Sequence, residues 1–468
     1  MTLKMLKRRG VHMKILLINP INPSYYYRFG LIFPPLGLGY LSSSLKRYGH
    51  DVKIVDMNVE KSDDNHDQNY EDYDLVGISC DTVRFPWAKL IAKNVKARGV
   101  KVVMGGPHPS VDALNILKER MADYVVLGEG EESFVSLVNS LEKGEKEPEI
   151  DGVGYVRENG EIHLTPVKFI TDLDSVPFPD WESLPLDKYH WKSYGKRTMS
   201  IISSRGCPFD CEFCSVSQLM GRRWRKRSVE NVVEEMKILV KKYGYGFLVF
   251  FDDNFTVDPK RVIELSERIL QEDLHVNCFA FSRMDEIVGH EDMVEAMAKA
   301  GCKMLFIGFE SANEEAMKEF NKNESVSMAY EAVKILKKYH IDVFASFILG
   351  ALSDTKESIK RTVKFAKSLG SKITEFSILT PLPGTRLYRK LEPKLLTKDY
   401  SQYDLTHLVF KHPNFSPQEL GKIFVRSYIS VYSTPKRLFT VGLPFLKKLI
   451  ATKKKFKELQ KQLESLKG

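Results

Sequence analysis

Cysteine is scarce in this sequence, and long apolar runs and a signal-peptide pattern are missing from it. Only six cysteines occur among 468 residues. They are too few and too irregularly placed for a disulfide framework, which favours a reducing cytoplasm. No apolar run reaches the roughly 20 residues of a membrane-spanning helix. The basic residues 1–14 lead straight into the strand-like KILLINP, without the apolar segment and cleavage site of a secretory signal.

A net positive charge is confined to the two ends of the chain. The net charge is +9, but residues 436–468 hold ten Lys and Arg against two Glu, and residues 1–14 add five basic residues. Residues 15–435 are therefore mildly acidic, and nucleic-acid binding is not expected. The basic C-terminal stretch predicts an amphipathic helix over 444–466. Three interpretations of that helix are open: a solvated terminus, a contact with a membrane surface, or a docking face for a protein partner.

Three of the six cysteines fall within eight residues, in the sequence GCPFDCEFC. Cys207, Cys211 and Cys214 follow a short apolar run, so their thiolates can converge on one metal cluster. No fourth Cys or His lies nearby, although closed iron-sulfur sites and structural zinc sites normally have four protein ligands. The pattern predicts a cluster with one open corner, and a zinc knuckle or free thiols are the alternatives. The remaining cysteines are predicted to be small buried apolar residues.

Residues 15–145 alternate between strand and helix patterns, which predicts a parallel, doubly wound α/β sheet. The predicted strands are 14–19, 50–56, 75–79, 100–104 and 123–127, with helices at 36–48, 87–98 and 132–141. Glycine-rich loops follow the fourth and fifth strands. Ligands of such sheets bind at the carboxyl ends of the strands, so a ligand site is expected there.

Residues 146–195 form a predicted connector, with a hairpin around residues 158–160 and an irregular segment rich in proline and aromatics that packs across the domain junction. The alternation then resumes over residues 196–390. The predicted strands are 199–203, 247–252, 276–281, 304–309, 343–349 and 373–379, with helices at 229–242, 261–271, 291–300, 328–339 and 356–369. Residues 391–468 are predicted to be mainly helical, with the basic tail at their end.

The cysteine motif resembles that of the radical SAM superfamily, and YRFGLIFPPLGLGYLSSSLKRYGHDVKIVD, GISCDT, GGPHPS and DYVVLGEGEESF resemble the cobalamin-binding domains fused to such enzymes. The resemblance extends over nearly the whole chain. It implies a Rossmann-like cobalamin-binding domain over 15–145 and a partial (β/α)6 barrel over 196–390. It also implies a 4Fe-4S cluster on Cys207, Cys211 and Cys214, with S-adenosylmethionine (SAM) chelating the unique iron.

The resemblance also implies residues that contact SAM. Phe213 precedes the third cysteine, where the superfamily places a side chain that packs on the adenine. Asp252 and Asp253 stand where relatives carry a Gly-Gly-Glu type motif that grips the methionine amino group. The departure from that motif leaves open which of the two carboxylates acts.

Three further SAM contacts are expected at the ends of the next barrel strands. Arg283 suits the methionine carboxylate because its guanidinium can donate two parallel hydrogen bonds. Glu310 or Ser311 suits the ribose hydroxyls. An ordinary helix cap or salt bridge is the alternative role for each of these residues.

The resemblance assigns cobalamin contacts to the loops of the first domain, at Ser79, Gly105, Gly106, Gly128 and Gly130. The D-x-H-x-x-G motif that would supply a histidine to cobalt is absent, so cobalt is expected to lack a protein histidine. His108 could approach the corrin, and a structural loop histidine is the other interpretation. A flavodoxin-like regulatory domain with another ligand, or with none, is the alternative for the domain.

The run GRRWRKR at 221–227 carries five basic residues around a tryptophan. It could contact RNA, neutralise cofactor phosphates or an acidic substrate, or present a solvated face. Because it directly follows the cysteine loop, the last two interpretations are preferred.

The predicted function is cobalamin-dependent C-methylation of an unactivated carbon in a peptide side chain, a lipid or isoprenoid, or a small metabolite. The resemblance implies that a radical derived from SAM removes hydrogen and that methylcobalamin donates the methyl group, with a ferredoxin or flavodoxin as electron donor. One alternative is radical ring closure, carbon-carbon coupling or rearrangement without methyl transfer. The other is a corrinoid or redox-binding regulatory protein. We expect a cytoplasmic protein, with a peripheral membrane contact through the basic tail as one option.

Overall fold

The computed structural model describes residues 12–23, 32–60 and 69–433, which form two seven-stranded sheets with helices and a C-terminal helical region. This confirms the predicted α/β fold class. The predicted basic helix over 444–466 lies outside the described residues. None of the helices in the described ranges combines the length and apolar character that crossing a membrane requires.

The first sheet has the strand order β2-β1-β3-β4-β5-β6-β7, in which β1 to β5 are parallel and the last two pairings are antiparallel. Its strands are β1 (Lys14–Asn19), β2 (Asp51–Asp56), β3 (Leu75–Ser79), β4 (Lys101–Gly105), β5 (Tyr124–Val126), β6 (Val153–Val156) and β7 (Ile162–Leu164), with helices α1 (Leu36–Lys46), α2 (Phe85–Ala97), α3 (Pro107–Lys118) and α4 (Gly130–Glu142). The chain reverses its direction across the sheet between β1 and β3, and open α/β sheets bind ligands at that point.

Alternate residues of β1 explain why this sheet is covered on both faces. Ile15 and Leu17 join one apolar core, whereas Leu16 and Ile18 join the other. A parallel strand buried on both faces has a continuous apolar sequence, which is why KILLIN could be recognised. The predicted hairpin is β6 and β7, which extend this sheet rather than standing apart from it.

The second sheet is a half-barrel with the order β16-β15-β14-β13-β12-β9-β8, and its last six strands in chain order are parallel. From the connector onward the strands are β8 (Lys192–Ser193), β9 (Lys196–Ile201), β10 (Ser204–Arg205), β11 (Arg225–Lys226), β12 (Phe247–Phe250), β13 (Asn277–Ser282), β14 (Cys302–Glu310), β15 (Asp342–Leu349) and β16 (Ile373–Ile378). The helices are α5 (Val216–Leu219), α6 (Val229–Lys237), α7 (Pro259–Gln271), α8 (Met284–Gly289), α9 (Glu291–Lys299), α10 (Glu314–Glu319), α11 (Val326–Lys338), α12 (Lys356–Leu369), α13 (Arg386–Leu391) and α14 (Pro417–Tyr432).

The irregular part of the connector packs against α1, on the first domain. Ser43 donates a hydrogen bond to the Phe178 carbonyl oxygen, and Ser42 donates one to Asp180. Trp181 is buried in the shared core. The proline-rich segment is therefore held by side-chain contacts in place of regular backbone pairing.

Candidate functional site

A cavity of about 330 Å³ lies between the carboxyl ends of the first sheet and the loops that follow β9 and β12. The five residues predicted to contact cobalamin all line it: Ser79, Gly105, Gly106, Gly128 and Gly130. Ser79 and Gly105 are 26 positions apart in sequence, but they are register partners on neighbouring strands and so lie side by side.

Glycine at two positions keeps this cavity open. A Cβ at Gly77, within β3, would lie 2.9 Å from the Leu17 side chain and 3.5 Å from Phe134. Gly106 has φ of +93°, and a Cβ there would lie 2.9 Å from Ser79 Oγ. Gly77 was not among the predicted site residues, although a glycine inside a strand marks a close approach of a ligand or another chain segment. A cavity with mainly apolar walls and backbone exposed at its glycines fits the buried tail of a cobalamin.

His108 does not line the cavity. Its ring is fully buried between Phe85 and Tyr400, with centroid distances of 4.1 and 4.7 Å, and lies 3.2 Å from Thr82 Oγ1. These contacts support the structural interpretation of this histidine over an approach to the corrin.

The cysteine loop, residues 207–214, begins beside the cavity, directly after Gly206. The Gly206 N–H donates to the Asp253 carboxylate over 2.8 Å, and Asp253 itself lines the cavity. The middle of the loop is held by Arg386, which contacts the carboxylates of Asp210 and Glu212. The loop is thus fixed between the carboxyl end of β12 and the start of α13.

The three thiols are half-buried, and burial raises the pKa of Cys207 to about 11 and that of Cys214 to about 12. Burial also raises the pKa of Cys211. A buried thiolate is stable only beside a positive charge. A bound metal ion supplies that charge, and a thiol that coordinates it loses its proton. Three cysteines on one short loop are a donor set that can hold a metal cluster.

The spacing of the thiols argues against a single zinc ion. Thiolates on one tetrahedral zinc lie about 3.8 Å apart, given a Zn–S bond of about 2.3 Å. In the described part of the chain, the only three Cys, His, Asp or Glu donors within 4.8 Å of one another are His12, His50 and Glu142, at another site. The three cysteine sulfurs, as they are placed, are therefore not grouped as the ligands of one zinc ion would be.

The two adjacent carboxylates after β12 have different surroundings. Asp252 is buried and accepts hydrogen bonds from the Ser203 N–H and from the hydroxyls of Ser203 and Ser204. Asp253 accepts one from Gly206, and burial raises the pKa of both carboxyls. Asp253 is thus the member of the pair with accepting capacity left beside the cysteine loop.

Arg283 and Glu310 lie in a buried charge cluster beside the cysteine loop. Arg283 pairs with Asp285 over 3.0 Å and stacks on the Phe209 ring, 3.7 Å from its centroid. Glu310, with φ of +56°, accepts a hydrogen bond from Lys322 over 2.9 Å. Burial would lower the pKa of Lys322, but Glu310 raises it above its ordinary value.

The remaining SAM candidates lie on either side of this cluster. Phe213 packs edge-to-face on Phe320 at 5.2 Å. Ser311 is buried next to Thr362 and borders a second cavity of about 460 Å³ between β14 and α11. The predicted SAM residues are therefore spread around the cysteine loop, and the first cavity includes Asp253 alone among them.

The basic run at 221–227 contributes to an ion network that sequence reasoning missed. Arg225 donates to Glu129 over 2.6 Å, and Arg205, its register partner, donates to Glu129 over 2.8 Å and to Glu131 over 2.7 Å. Burial would raise the pKa of Glu129, but hydrogen bonds from Arg225 and Arg205 lower it below its ordinary range. Arg227, also buried, pairs with Glu235. Arg225 therefore links the two domains, and Arg227 pairs within the second domain. Because both side chains are engaged in buried pairs, they are not an RNA-binding surface.

Comparisons with known proteins agree with both domains. A model of the B12 binding domain matches residues 27–138, and a model of the Radical SAM superfamily matches residues 201–366. The chain is 39% identical to the uncharacterized methyltransferase PH0819 of Pyrococcus horikoshii, over 91% of this chain and 94% of that protein. It is 30% identical to the anaerobic magnesium-protoporphyrin IX monomethyl ester cyclase of Rubrivivax gelatinosus, over 85% of this chain and 74% of that protein.

Solved structures share the whole two-domain fold. The cobalamin-dependent SAM radical enzyme OxsB with aqua-cobalamin bound is similar with a TM-score of 0.74 and 19% identity, over 96% of this chain and 71% of that one. The radical SAM methyltransferase TsrM of Kitasatospora setae, with cobalamin and a [4Fe-4S] cluster bound, has a TM-score of 0.67 and 18% identity, over 81% of this chain and 78% of that one. With a glycine-rich cavity matched to the B12 domain and a three-cysteine loop matched to the radical SAM domain, this chain belongs to the cobalamin-binding radical SAM enzymes, whose cofactors are a 4Fe-4S cluster, SAM and cobalamin.

Proposed function

We propose that the protein is a cobalamin-dependent C-methyltransferase that acts on an unactivated carbon. One observation carries the proposal: Asp253 lines the glycine-rich cavity and also holds the backbone of Gly206, next to Cys207. The cobalamin pocket and the cluster loop therefore share a wall. A substrate between them would be within reach of both cofactors, as hydrogen removal and methyl transfer at one carbon require.

The chain's own residues bind and orient the cofactors. When bound, the cluster and SAM supply hydrogen-atom removal, and cobalamin supplies the methyl group. Cys207, Cys211 and Cys214 would hold the cluster. Ser79 would contact the cobalamin. The cavity glycines, which have no side chain, would let the backbone approach it.

We assign the SAM amino group to Asp253 rather than Asp252. Three hydrogen bonds from two serines already occupy the Asp252 carboxylate, whereas the Gly206 N–H leaves capacity on Asp253. Arg283 remains our candidate for the SAM carboxylate, although Asp285 occupies two of its guanidinium nitrogens. Phe213 remains the candidate for the adenine, and Glu310 or Ser311 for the ribose.

Anaerobic reconstitution tests the proposal. With iron, sulfide, cobalamin, SAM and dithionite, we expect a corrin spectrum and formation of both 5'-deoxyadenosine and S-adenosylhomocysteine. Cys211→Ala should abolish 5'-deoxyadenosine. Cys302→Ala, which changes a buried cysteine of the barrel core, should retain it. A protein that retains no corrin would contradict the proposed role of residues 15–145.

Ring closure without methyl transfer is the second candidate. The 30% identity to a magnesium-protoporphyrin IX monomethyl ester cyclase favours it, because that relative is named for a ring closure and not for a methylation. Formation of 5'-deoxyadenosine without S-adenosylhomocysteine, in the presence of cobalamin, would select this reaction. A product heavier by one methylene would select methylation.

We also propose a ferredoxin or flavodoxin as the electron donor and the cytoplasm as the location, because the reduced cluster and the unpaired cysteines require a reducing compartment. The option of a peripheral membrane contact rests on residues outside the described ranges. It stays a prediction from sequence.

A further inference from the structure

The concave face of the half-barrel carries an aromatic surface whose rings are not part of the apolar core. On β13, Cys278 and Ala280 pack with the surrounding helices, so the alternate residues Phe279 and Phe281 face the other side. Phe306 on β14 and Phe344 on β15 continue the same surface. None of these four phenylalanines belongs to the main cores of the described chain, and each is partly exposed.

The rings contact one another in a continuous series. Phe281 lies 5.0 Å from Phe306, and Phe306 lies 5.0 Å from Phe344, between ring centroids. Phe279 closes the group at 5.3 Å from Phe281 and 6.3 Å from Phe344. We call these four rings the phenylalanine wall. Partly exposed aromatic rings grouped in a concave site are typical of a binding surface for an apolar molecule.

The phenylalanine wall leads directly into the cofactor cavity. Phe281 lies 6.1 Å from Phe251, which lines that cavity and is 39% exposed. Phe251 in turn contacts Phe33 of the first domain at 5.0 Å. A molecule on the wall would therefore extend to the place where the cobalamin pocket and the cluster loop meet.

Tyr194 crosses the barrel at the opposite, amino end of its strands. Its hydroxyl donates to Asp342 and lies 3.3 Å from the Lys303 carbonyl oxygen, and its ring stacks on Phe247 at 5.6 Å. This bridge joins the loop before β9 to β14 and β15. The aromatic surface thus has a bridged end and an end that opens at the cofactors.

We propose that the phenylalanine wall binds a large, uncharged and predominantly apolar substrate, such as one with an isoprenoid hydrocarbon skeleton, and presents one carbon of it to the cofactors. This rests on the proposed function and narrows its substrate class. The four rings of the wall provide no hydrogen-bonding groups, which a peptide or a small polar metabolite would need, because unpaired polar groups on such a surface cost binding free energy. The polar side chains of the same face, Ser346 and Glu375, are register partners beside the wall.

Competition binding on the reconstituted full chain tests this directly. Nile red is bound to the protein, and the uncharged isoprenoid alcohol geranylgeraniol is titrated to displace it. Phe306→Ser and Phe344→Ser should each weaken the apparent affinity for geranylgeraniol about tenfold, the loss expected for one buried aromatic ring. Phe306→Leu keeps most of the apolar volume and should stay within about threefold of the parent protein.

Leu270→Ser is the matched control, because it removes an apolar side chain that is 51% exposed on α7. It should leave the affinity unchanged. Equal affinities in the parent and serine variants would overturn the proposal. Displacement of Nile red by a soluble tryptophan-containing peptide, and not by geranylgeraniol, would overturn it as well.

A separate readout distinguishes this inference from the proposed function. If the parent protein binds geranylgeraniol through the wall but forms no 5'-deoxyadenosine, the proposed reaction is wrong and the apolar site stands. If it forms 5'-deoxyadenosine while the wall variants bind geranylgeraniol as tightly as the parent, the substrate class is wrong. Iron and corrin contents are measured in every variant, so that a folding defect is recognised.

Discussion

The backbone at Gly206, directly before the cysteine loop, lies too close to the backbone of Arg223 to accommodate a side chain. Its φ is +85°, and a Cβ there would lie 2.0 Å from the Arg223 carbonyl oxygen. Gly206→Ala therefore combines an unfavourable backbone conformation with a clash against backbone, and we expect it to lower the free energy of unfolding by about 3 kcal/mol. Iron retention after reconstitution should fall with it, as measured by iron analysis and the visible spectrum.

Gly160 provides the matched control for that substitution. It also has a positive φ, +89°, in the turn between β6 and β7, but a Cβ there meets no atom within 4 Å. Gly160→Ala should cost only the backbone term, about 1 kcal/mol, and leave iron retention unchanged. If the two variants lose the same stability, contact with Arg223 is not what requires glycine at position 206.

Candidate ligands could be picked out from the sequence where local spacing brings them together. Three cysteines within eight residues form a local pattern, and the glycines of the cavity lie at strand ends that periodicity locates. The pairing of Arg205 with Glu129 could not be predicted, because the partners are 76 residues apart in different domains and their pairing depends on how the domains pack.

The helix α14 covers the free edge of the half-barrel without adding a strand. Tyr428 accepts a hydrogen bond from the Phe376 N–H and donates to the Phe376 carbonyl oxygen, and Tyr432 does the same at Thr374. Exposed strand edges promote unwanted pairing with other chains. Two tyrosine hydroxyls on one helix thus provide hydrogen-bond partners for the backbone N–H and carbonyl groups at the edge of β16.

Removing one of these hydroxyls should weaken the edge of the sheet. Tyr428→Phe leaves the backbone N–H and carbonyl of Phe376 without that partner, and we expect a loss of about 1 to 2 kcal/mol in unfolding free energy. Hydrogen exchange measured by mass spectrometry should quicken over 373–378. Tyr330→Phe removes an exposed hydroxyl that bonds Ser368 and should change stability by less than about 0.5 kcal/mol. Unchanged exchange in Tyr428→Phe would mean that packing, and not this bond, protects the edge.

Helices and strands could be predicted where the apolar period was strong, and α3 shows where that failed. The sequence GGPHPS suggests a loop, yet α3 begins at Pro107, directly after Gly106. Proline is favourable in the first turn of a helix, where its missing N–H has no partner to lose. The six barrel strands were all predicted, but the direction in which alternate phenylalanines face depends on the curvature of the sheet and on which side the helices cover.

The arrangement of the two domains depends on a buried ion network at their junction. Arg205 and Arg225, paired across β10 and β11, converge on Glu129 at the start of α4. Arg225 also donates to the Ile170 carbonyl oxygen, and the Ile170 N–H donates to Glu129. Because Glu129 and Arg205 both line the cofactor cavity, this network sets the distance between the cobalamin pocket and the cysteine loop.

Glu129→Gln should therefore destabilise the junction by about 3 kcal/mol at neutral pH, because it removes the carboxylate that two buried guanidinium groups share. Arg205 keeps its pair with Glu131, whereas Arg225 loses its carboxylate partner. The folded-state pKa of Glu129 is lowered, so its contribution is fully present above its unfolded value, about 4.3. The contribution falls away as the pH drops below that value toward the folded pKa. The difference in unfolding free energy between parent and variant, from urea denaturation, should stay constant from pH 7 to about pH 5 and narrow below it.

Glu182→Gln, which breaks an exposed pair with Lys242, should cost less than about 1 kcal/mol. A difference for Glu129→Gln that persists undiminished at acid pH would show that shape, and not charge, holds the domains together.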